Sequence, residues 1–281
     1  MAFDAFALTN EPTIRLGAFL GVFAVMAAWE AAAPRRVRLH TRLRRWSANL
    51  GLVAFNTLLL RLLFPFAAVA FAALAAQRGW GLLNNLELPG WLALVLAVAA
   101  MDFAIWLQHV MVHAVPVLWR LHKVHHADTD YDVTTGARFH PIEIILSMLI
   151  KFAVIAVLGA PPAAVLVFEV LLNATAMFNH ANVRLPAALD GALRLLLVTP
   201  DMHRVHHSTD HVEANSNFGF NLSLWDRLFG TYRARSRLPQ ESMSICIAGL
   251  AGDPRCVSLP GMLAIPFTND GDGYAIGHEA R

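Results

Sequence analysis

Residues 16–33 read LGAFLGVFAVMAAWEAAA, and comparable apolar runs recur through the first two thirds of the chain. A helix needs about 20 mostly apolar residues to cross the hydrocarbon core of a bilayer. Within lipid every backbone polar group must be satisfied inside the protein, which leaves helices or a closed barrel. Composition agrees: 57% of residues are hydrophobic, 15% are charged and the mean hydropathy is +0.50, whereas soluble domains carry about a quarter charged residues. The reading is an all-α integral membrane protein. No basic segment precedes the first run and Arg35–Arg36 follows it, so it is expected to be a retained span and not a cleaved leader. A net charge of +2 gives no case for nucleic acid. Cys246 and Cys256 form neither a disulfide framework nor a zinc-ribbon spacing.

The spans can be placed by length and charge. The first covers about Ile14 to Ala33, and PRRVRLHTRLRRW follows with six arginines in thirteen residues. The positive-inside rule puts that segment on the cytoplasmic face. A second span, about Leu50 to Ala76, returns outward despite Arg61, and a third runs from about Trp91 to His113. Residues 141–179 are apolar with one break, GAPPAA, at Gly159–Ala164. Proline does not continue a helix interior, so this stretch reads as a helical hairpin that leaves and re-enters the cytoplasmic side. About three spans plus a hairpin are therefore expected, with a histidine-rich helical cap on the cytoplasmic face. The division is 1–96 for the first spans and basic loop, 97–233 for a catalytic domain, and 234–281 for a Pro- and Gly-rich tail, soluble or loosely ordered.

The chain repeats one arrangement, His-x-x-His-His, at His122, His125, His126 and again at His203, His206, His207. His109 and His113 stand four apart, and His180 stands alone in NHANVRLP. Residues three or four apart share a helix face, so each group is expected to aim its imidazoles at a shared centre. Neutral imidazole suits iron, zinc, copper and nickel. Nine such donors exceed the four that one structural zinc takes and suffice for two ions with four or five nitrogens each. His40, His140, His211 and His278 carry less weight; the His-Glu of His278 lacks the second histidine of a zincin motif. Carboxylates near the histidines in sequence (Asp128, Asp130, Asp132, Glu143, Asp201, Asp210 and Asp226) are candidates to orient the rings. Asp102, an acid within the third span seven residues before His109, is a functional candidate by its depth.

From about Val98 to Tyr232 the chain resembles the fatty acid hydroxylase and sterol desaturase superfamily of membrane-bound non-haem di-iron enzymes. The resemblance lies in HVMVH, LWRLHKVHH, RFHPIE, NHANVRLP, TPDMHRVHHS and NFGFNLSLWDRLFGTY, in that order. Val110 departs from it, since many members have a basic residue after the first histidine. The resemblance implies that His109, His113, His122, His125, His126, His180, His203, His206 and His207 bind two iron ions, with no catalytic residue beyond the ligands; Asp102, His140 and Asn217 are candidate supports, Asn217 together with Gly219 as the residues that fix the turn after the second histidine triple. A second ligand about one turn from His180 is common in relatives, but Ala176 and Arg184 occupy those positions. It further implies hydroxylation or desaturation of a lipid (an acyl chain, a sterol-like polycycle or a carotenoid) with O2 and two electrons. No haem or flavin domain and no dinucleotide fingerprint is visible, so a separate electron-donor protein is expected, docked by the basic loop Arg35–Arg45. Rival readings are a histidine-rich membrane metal-binding or metal-transport protein, whose ligands would be strung along the spans, and a lipid-aldehyde cleaving enzyme on the same scaffold.

Overall fold

The computed structural model describes residues 2–276, so His278 lies outside the described residues. Among them there are helices and three isolated β-bridges but no strand. Helix α1 spans Ala2–Ala32, α2 Arg42–Leu63, α3 Ala68–Gln77, α4 Gly90–Ala114, α5 Pro116–His126, α6 Pro141–Leu158 and α7 Pro162–Asn179. Shorter helices follow: α8 (Ala187–Leu193), α9 (Pro200–His206), α10 (His211–Ala214), α11 (Leu224–Leu228) and α12 (Leu259–Ala264). Five described segments are long and apolar enough to cross a membrane: Asp4–Ala32, Arg42–Gln77, Gly90–Ala114, Pro141–Leu158 and Pro162–Asn179.

Two boundaries differ from those expected. Helix α1 begins well before Ile14 and carries Pro12 within it. The second apolar run is not one helix, because Pro65 follows Phe64, which caps α2 with extended backbone (φ −115°, ψ 113°). Proline removes an amide donor and pushes the preceding residue out of the helical region.

The hairpin forms as its sequence dictates. Pro141 and Pro162 open α6 and α7 at the first turn, where a missing N–H costs nothing. Gly159 ends α6 in the left-handed region (φ 71°). A Cβ there would also meet Trp80 O at 2.8 Å, so both conformation and space require glycine. Leu82 N donates to Val157 O at 3.0 Å, and Asp4 Oδ1 accepts from Ala163 N at 3.1 Å. The start of α1, the loop around residue 80 and the hairpin apex thus share one end of the bundle. The arginine-rich segment and the histidines occupy the other.

The membrane-embedded core is built largely from small residues, Ala68, Ala72, Ala75, Ala97, Ala163 and Ala164, around Met101 and Phe168. Small side chains let apolar helices approach closely. The C-terminal segment is not a loose appendage: Leu250, Cys256, Met262 and Ile265 pack against Leu52 of α2 and Trp119 of α5. It is also bonded in place, since Lys123 Nζ donates to the Thr268 and Asp270 carbonyls, and Trp119 Nε1 to that of Gly271.

Candidate metal centre

The nine histidines meet at one end of the bundle in two groups, His109, His113, His122, His126, His206 and His125, His180, His203, His207. Within each group one ligand atom of every residue lies within 4.8 Å of all the others, and every member is buried. The groups do not follow the sequence motifs. In each His-x-x-His-His run the first and last rings go to one group and the middle ring crosses to the other: His122 and His126 join the first while His125 joins the second, and His203 and His207 join the second while His206 joins the first. The divergence is helical geometry. At 3.6 residues per turn, positions i+3 and i+4 fall on opposite sides of position i, so adjacent histidines face apart. The repeated motif therefore serves two centres from each of two helices.

The backbone that carries these rings is sharply folded. Val115 alone separates α4 from α5 and caps both. Thr199 caps α9, its hydroxyl accepting from Met202 N, and Pro200 follows at the first turn. His180 ends α7, where its Nδ1 donates to Ala176 O at 2.8 Å. Gly136 lies against that same carbonyl; a Cβ there would approach it to 2.5 Å, a close contact that nothing in the sequence reading anticipated.

The tautomers follow from the outward contacts. His109 Nδ1 lies 2.7 Å from Phe218 O and His206 Nδ1 2.7 Å from Ser216 O. A carbonyl only accepts, so these Nδ1 atoms carry the protons and their Nε2 lone pairs are bare. His122 Nδ1 donates to Glu143 Oε1 at 2.6 Å, and His113 Nδ1 to Asn215 Oδ1 at 3.1 Å. The inward Nε2 atoms of His109, His122 and His206 are buried without a hydrogen-bond partner. His180 Nε2 stands 3.1 Å from His125 Nε2 and 3.2 Å from His207 Nε2. Bare imidazole nitrogens facing one another in a buried pocket, with His109, His113, His122, His180 and His206 each oriented through the other ring nitrogen, are the donor set of a transition metal. The partner of His180 is therefore no residue one turn away but the rings of His125, His203 and His207.

Burial, followed by neighbouring imidazoles, holds His125, His126, His203, His206 and His207 well below the ordinary histidine pKa, and burial brings His180 down to about 3. Such rings stay neutral in the folded protein while the unfolded chain takes up protons below about pH 6.5. Stability of the metal-free protein is thus full above that pH and falls as the pH drops toward the depressed values. Thermal unfolding in detergent with a chelator is expected to show a lower Tm at pH 5 than at pH 7.5; a flat profile refutes it.

Of the residues offered as supports, Asp102 and His140 bond no clustered ring, and Asn217 holds the turn expected of it. Asp102 contacts no clustered imidazole: it accepts from Asn221 Nδ2 (2.7 Å) and Trp225 Nε1 (2.8 Å) and docks the following segment onto α4. His140 lies outside both groups and caps α6, its Nδ1 accepting from Ile142 N at 3.3 Å. Asn217, in the left-handed region (φ 54°), donates to the Met202 and Arg233 carbonyls and fixes the turn between Ser216 and Phe218. Asp226 holds the same turn, accepting from Phe218 N and Gly219 N. Of the seven carboxylates singled out by sequence proximity, Glu143 alone among the described residues bonds a clustered ring. The basic loop is mostly spent internally: Arg45 pairs with Asp128 and Asp132, Arg35 with Asp201 and Glu241, and Arg36 with backbone carbonyls, leaving Arg38 and Arg44 exposed.

The fatty acid hydroxylase family model matches residues 94–231, the segment that supplies all nine rings. The segment that carries the site thus matches the fatty acid hydroxylase family. It is 30% identical over 187 residues to the ornithine lipid hydroxylase of Rhizobium tropici, covering 66% of this chain and 54% of that protein. Human alkylglycerol monooxygenase is 32% identical over 143 residues (50% and 30%), and human cholesterol 25-hydroxylase 28% over 137 residues (48% and 48%). The chain thus spans about half or less of the length of these relatives. No solved structure matches.

Proposed function

We propose that this protein is a membrane-bound di-iron oxygenase that uses O2 and two electrons to hydroxylate a lipid. The observation that carries the reading is the pair of buried imidazole groups whose bare nitrogens face one another. One iron would be held by His109, His113, His122, His126 and His206, the other by His125, His180, His203 and His207. When bound, the iron pair supplies oxygen activation that no side chain here can provide. The chain's own part is to bind, orient and exclude water. A cavity of about 280 Å³ reaches His109 and His122 between α1, α2, α4, α6 and α7. A second, of about 430 Å³ and almost wholly apolar, lies between α4, α5 and α6 and shares Gln108, Val112 and Glu143 with the first. A lipid moving between the two would reach the histidines without crossing water.

Hydroxylation is favoured over desaturation because the relatives are named as hydroxylases and monooxygenases of lipids. Gathering of the rings at one end of the bundle, not along the spans, argues against metal transport. The arginine-rich segment supports a cytoplasmic site, where a separate electron donor would meet Arg38 and Arg44.

The test is elemental analysis of the detergent-purified protein together with mass spectrometry of membrane lipids made under isotopically heavy O2. Two irons per chain and one heavy oxygen in a product lipid are expected. Zinc in place of iron, or no O2-dependent product, overturns the proposal.

A further inference from the structure

The cavity that reaches His109 and His122 also exposes a group of charges deep within the spanning helices. Arg15 of α1, Lys151 of α6 and Glu169 of α7 line it. Lys151 Nζ donates to Glu169 Oε1 at 2.5 Å; Arg15 Nη1 lies 3.2 Å from Glu169 Oε2 and donates to Glu11 Oε1 at 2.9 Å. At the rise of an α-helix, Glu169 stands about 16 Å along α7 from His180. Ionisable groups at such depth are costly and mark functional sites.

The four charges balance, so the group does not call for an ionic ligand. What it leaves unused is an acceptor on one side and donors on the other. Glu169 is 2% exposed, yet its Oε2 accepts no hydrogen bond. Asn56 Oδ1 and Glu143 Oε2, toward the histidine end of the same cavity, are also buried and unpartnered but stand apart from this group. All are acceptors, and leaving such atoms unpaired is unfavourable. Lys151 and Arg15 meanwhile keep N–H groups beyond the bonds they make. An alkane satisfies neither set, and a carbonyl or carboxylate brings no donor. A hydroxyl both donates and accepts.

We propose that this end of the cavity binds the hydroxyl group of a lipid alcohol. Glu169 Oε2 accepts its hydrogen, Lys151 or Arg15 donates to its oxygen, and the apolar remainder runs toward His109 and His122. The site rests on the oxygenase reading only in making that alcohol the substrate; attack then falls on a carbon remote from the hydroxyl.

Competition against radiolabelled hexadecanol on the detergent-solubilised full chain tests it, with hexadecanol, hexadecane and palmitate as competitors. Hexadecanol is expected to compete about tenfold better than hexadecane, the worth of a charge-assisted hydrogen bond. The Glu169→Gln/Lys151→Met double variant is expected to lose that preference while keeping its iron. Equal competition by hexadecane in the wild type, or a preference that survives in a folded double variant, overturns the site. Stronger competition by palmitate overturns its assignment to a hydroxyl. Wild-type protein that lacks iron but keeps the alcohol preference upholds this site and overturns the oxygenase reading instead.

Discussion

Replacing His206 by alanine is expected to lower product formation by more than about a hundredfold, because loss of an outer contact to a metal ligand alone costs 10- to 100-fold. His206 is the only residue of α9 in the first group, whose other members come from α4 and α5. His125 is its counterpart, the only residue of α5 in the second group. His206→Ala should therefore remove iron from one centre and His125→Ala from the other, so each variant keeps about one metal per chain and neither keeps activity. His140→Ala is the control: it removes a helix cap worth about 1 kcal/mol and no cluster member, so iron and product persist. Elemental analysis beside product assays decides. If His206→Ala retains both irons and activity, the grouping of rings described above is not the working site.

That pairing marks the limit of what the sequence shows by itself. The spacing of three and four identifies the histidines and their helical carriers, because local geometry fixes which rings lie near one face. It does not say which ring meets which, because the crossing of His125 and His206 depends on how α5 and α9 face each other across the bundle. The hairpin was legible in Gly159 and the prolines at 141 and 162, since those residues act on their own backbone. The break in the second run at Pro65 was equally local, but the apolar run around it hides the proline. Carboxylate partners were not legible: Asp128 and Glu143 are both close to histidines in the sequence, and only packing sends Glu143 to His122 and Asp128 to Arg45. The charges at Arg15, Lys151 and Glu169 are scattered over three helices, and only the fold brings them together. The C-terminal segment, polar in composition, conceals a short apolar face that covers α2 and α5.

Arg45→Met is expected to cost about 3–5 kcal/mol, the usual penalty for leaving a buried charge without its partner. Arg45 is fully buried and forks onto Asp128, with Nε at 3.0 Å and Nη2 at 2.7 Å, while Nη1 reaches Asp132 at 2.5 Å. Asn49 and Thr135 also bond Asp128, and Trp46 Nε1 bonds Asp132 at 3.0 Å. Arg138 links the same cluster to the C-terminal segment through Cys256 O at 2.6 Å. Arginine pairing holds the Asp128 carboxyl below the usual carboxylate range despite its burial. The cluster therefore ties α2 to the loop after His126, and that loop in turn braces the second histidine group, since Tyr131 Oη donates to Asn179 O beside His180 at 2.6 Å. Loss of Arg45 should thus loosen His125 and His180 before it disturbs His109 and His113, and the second centre should lose iron first. Removing a partner as well relieves the stranded charge, so Arg45→Met/Asp128→Asn is expected to melt higher than Arg45→Met alone. Lysine at position 45 keeps the charge but not the fork that spans two carboxylates, and should fall between wild type and Arg45→Met. Melting temperature and iron content measured together separate these cases; a double variant less stable than Arg45→Met would show that the cluster contributes through packing and not through charge.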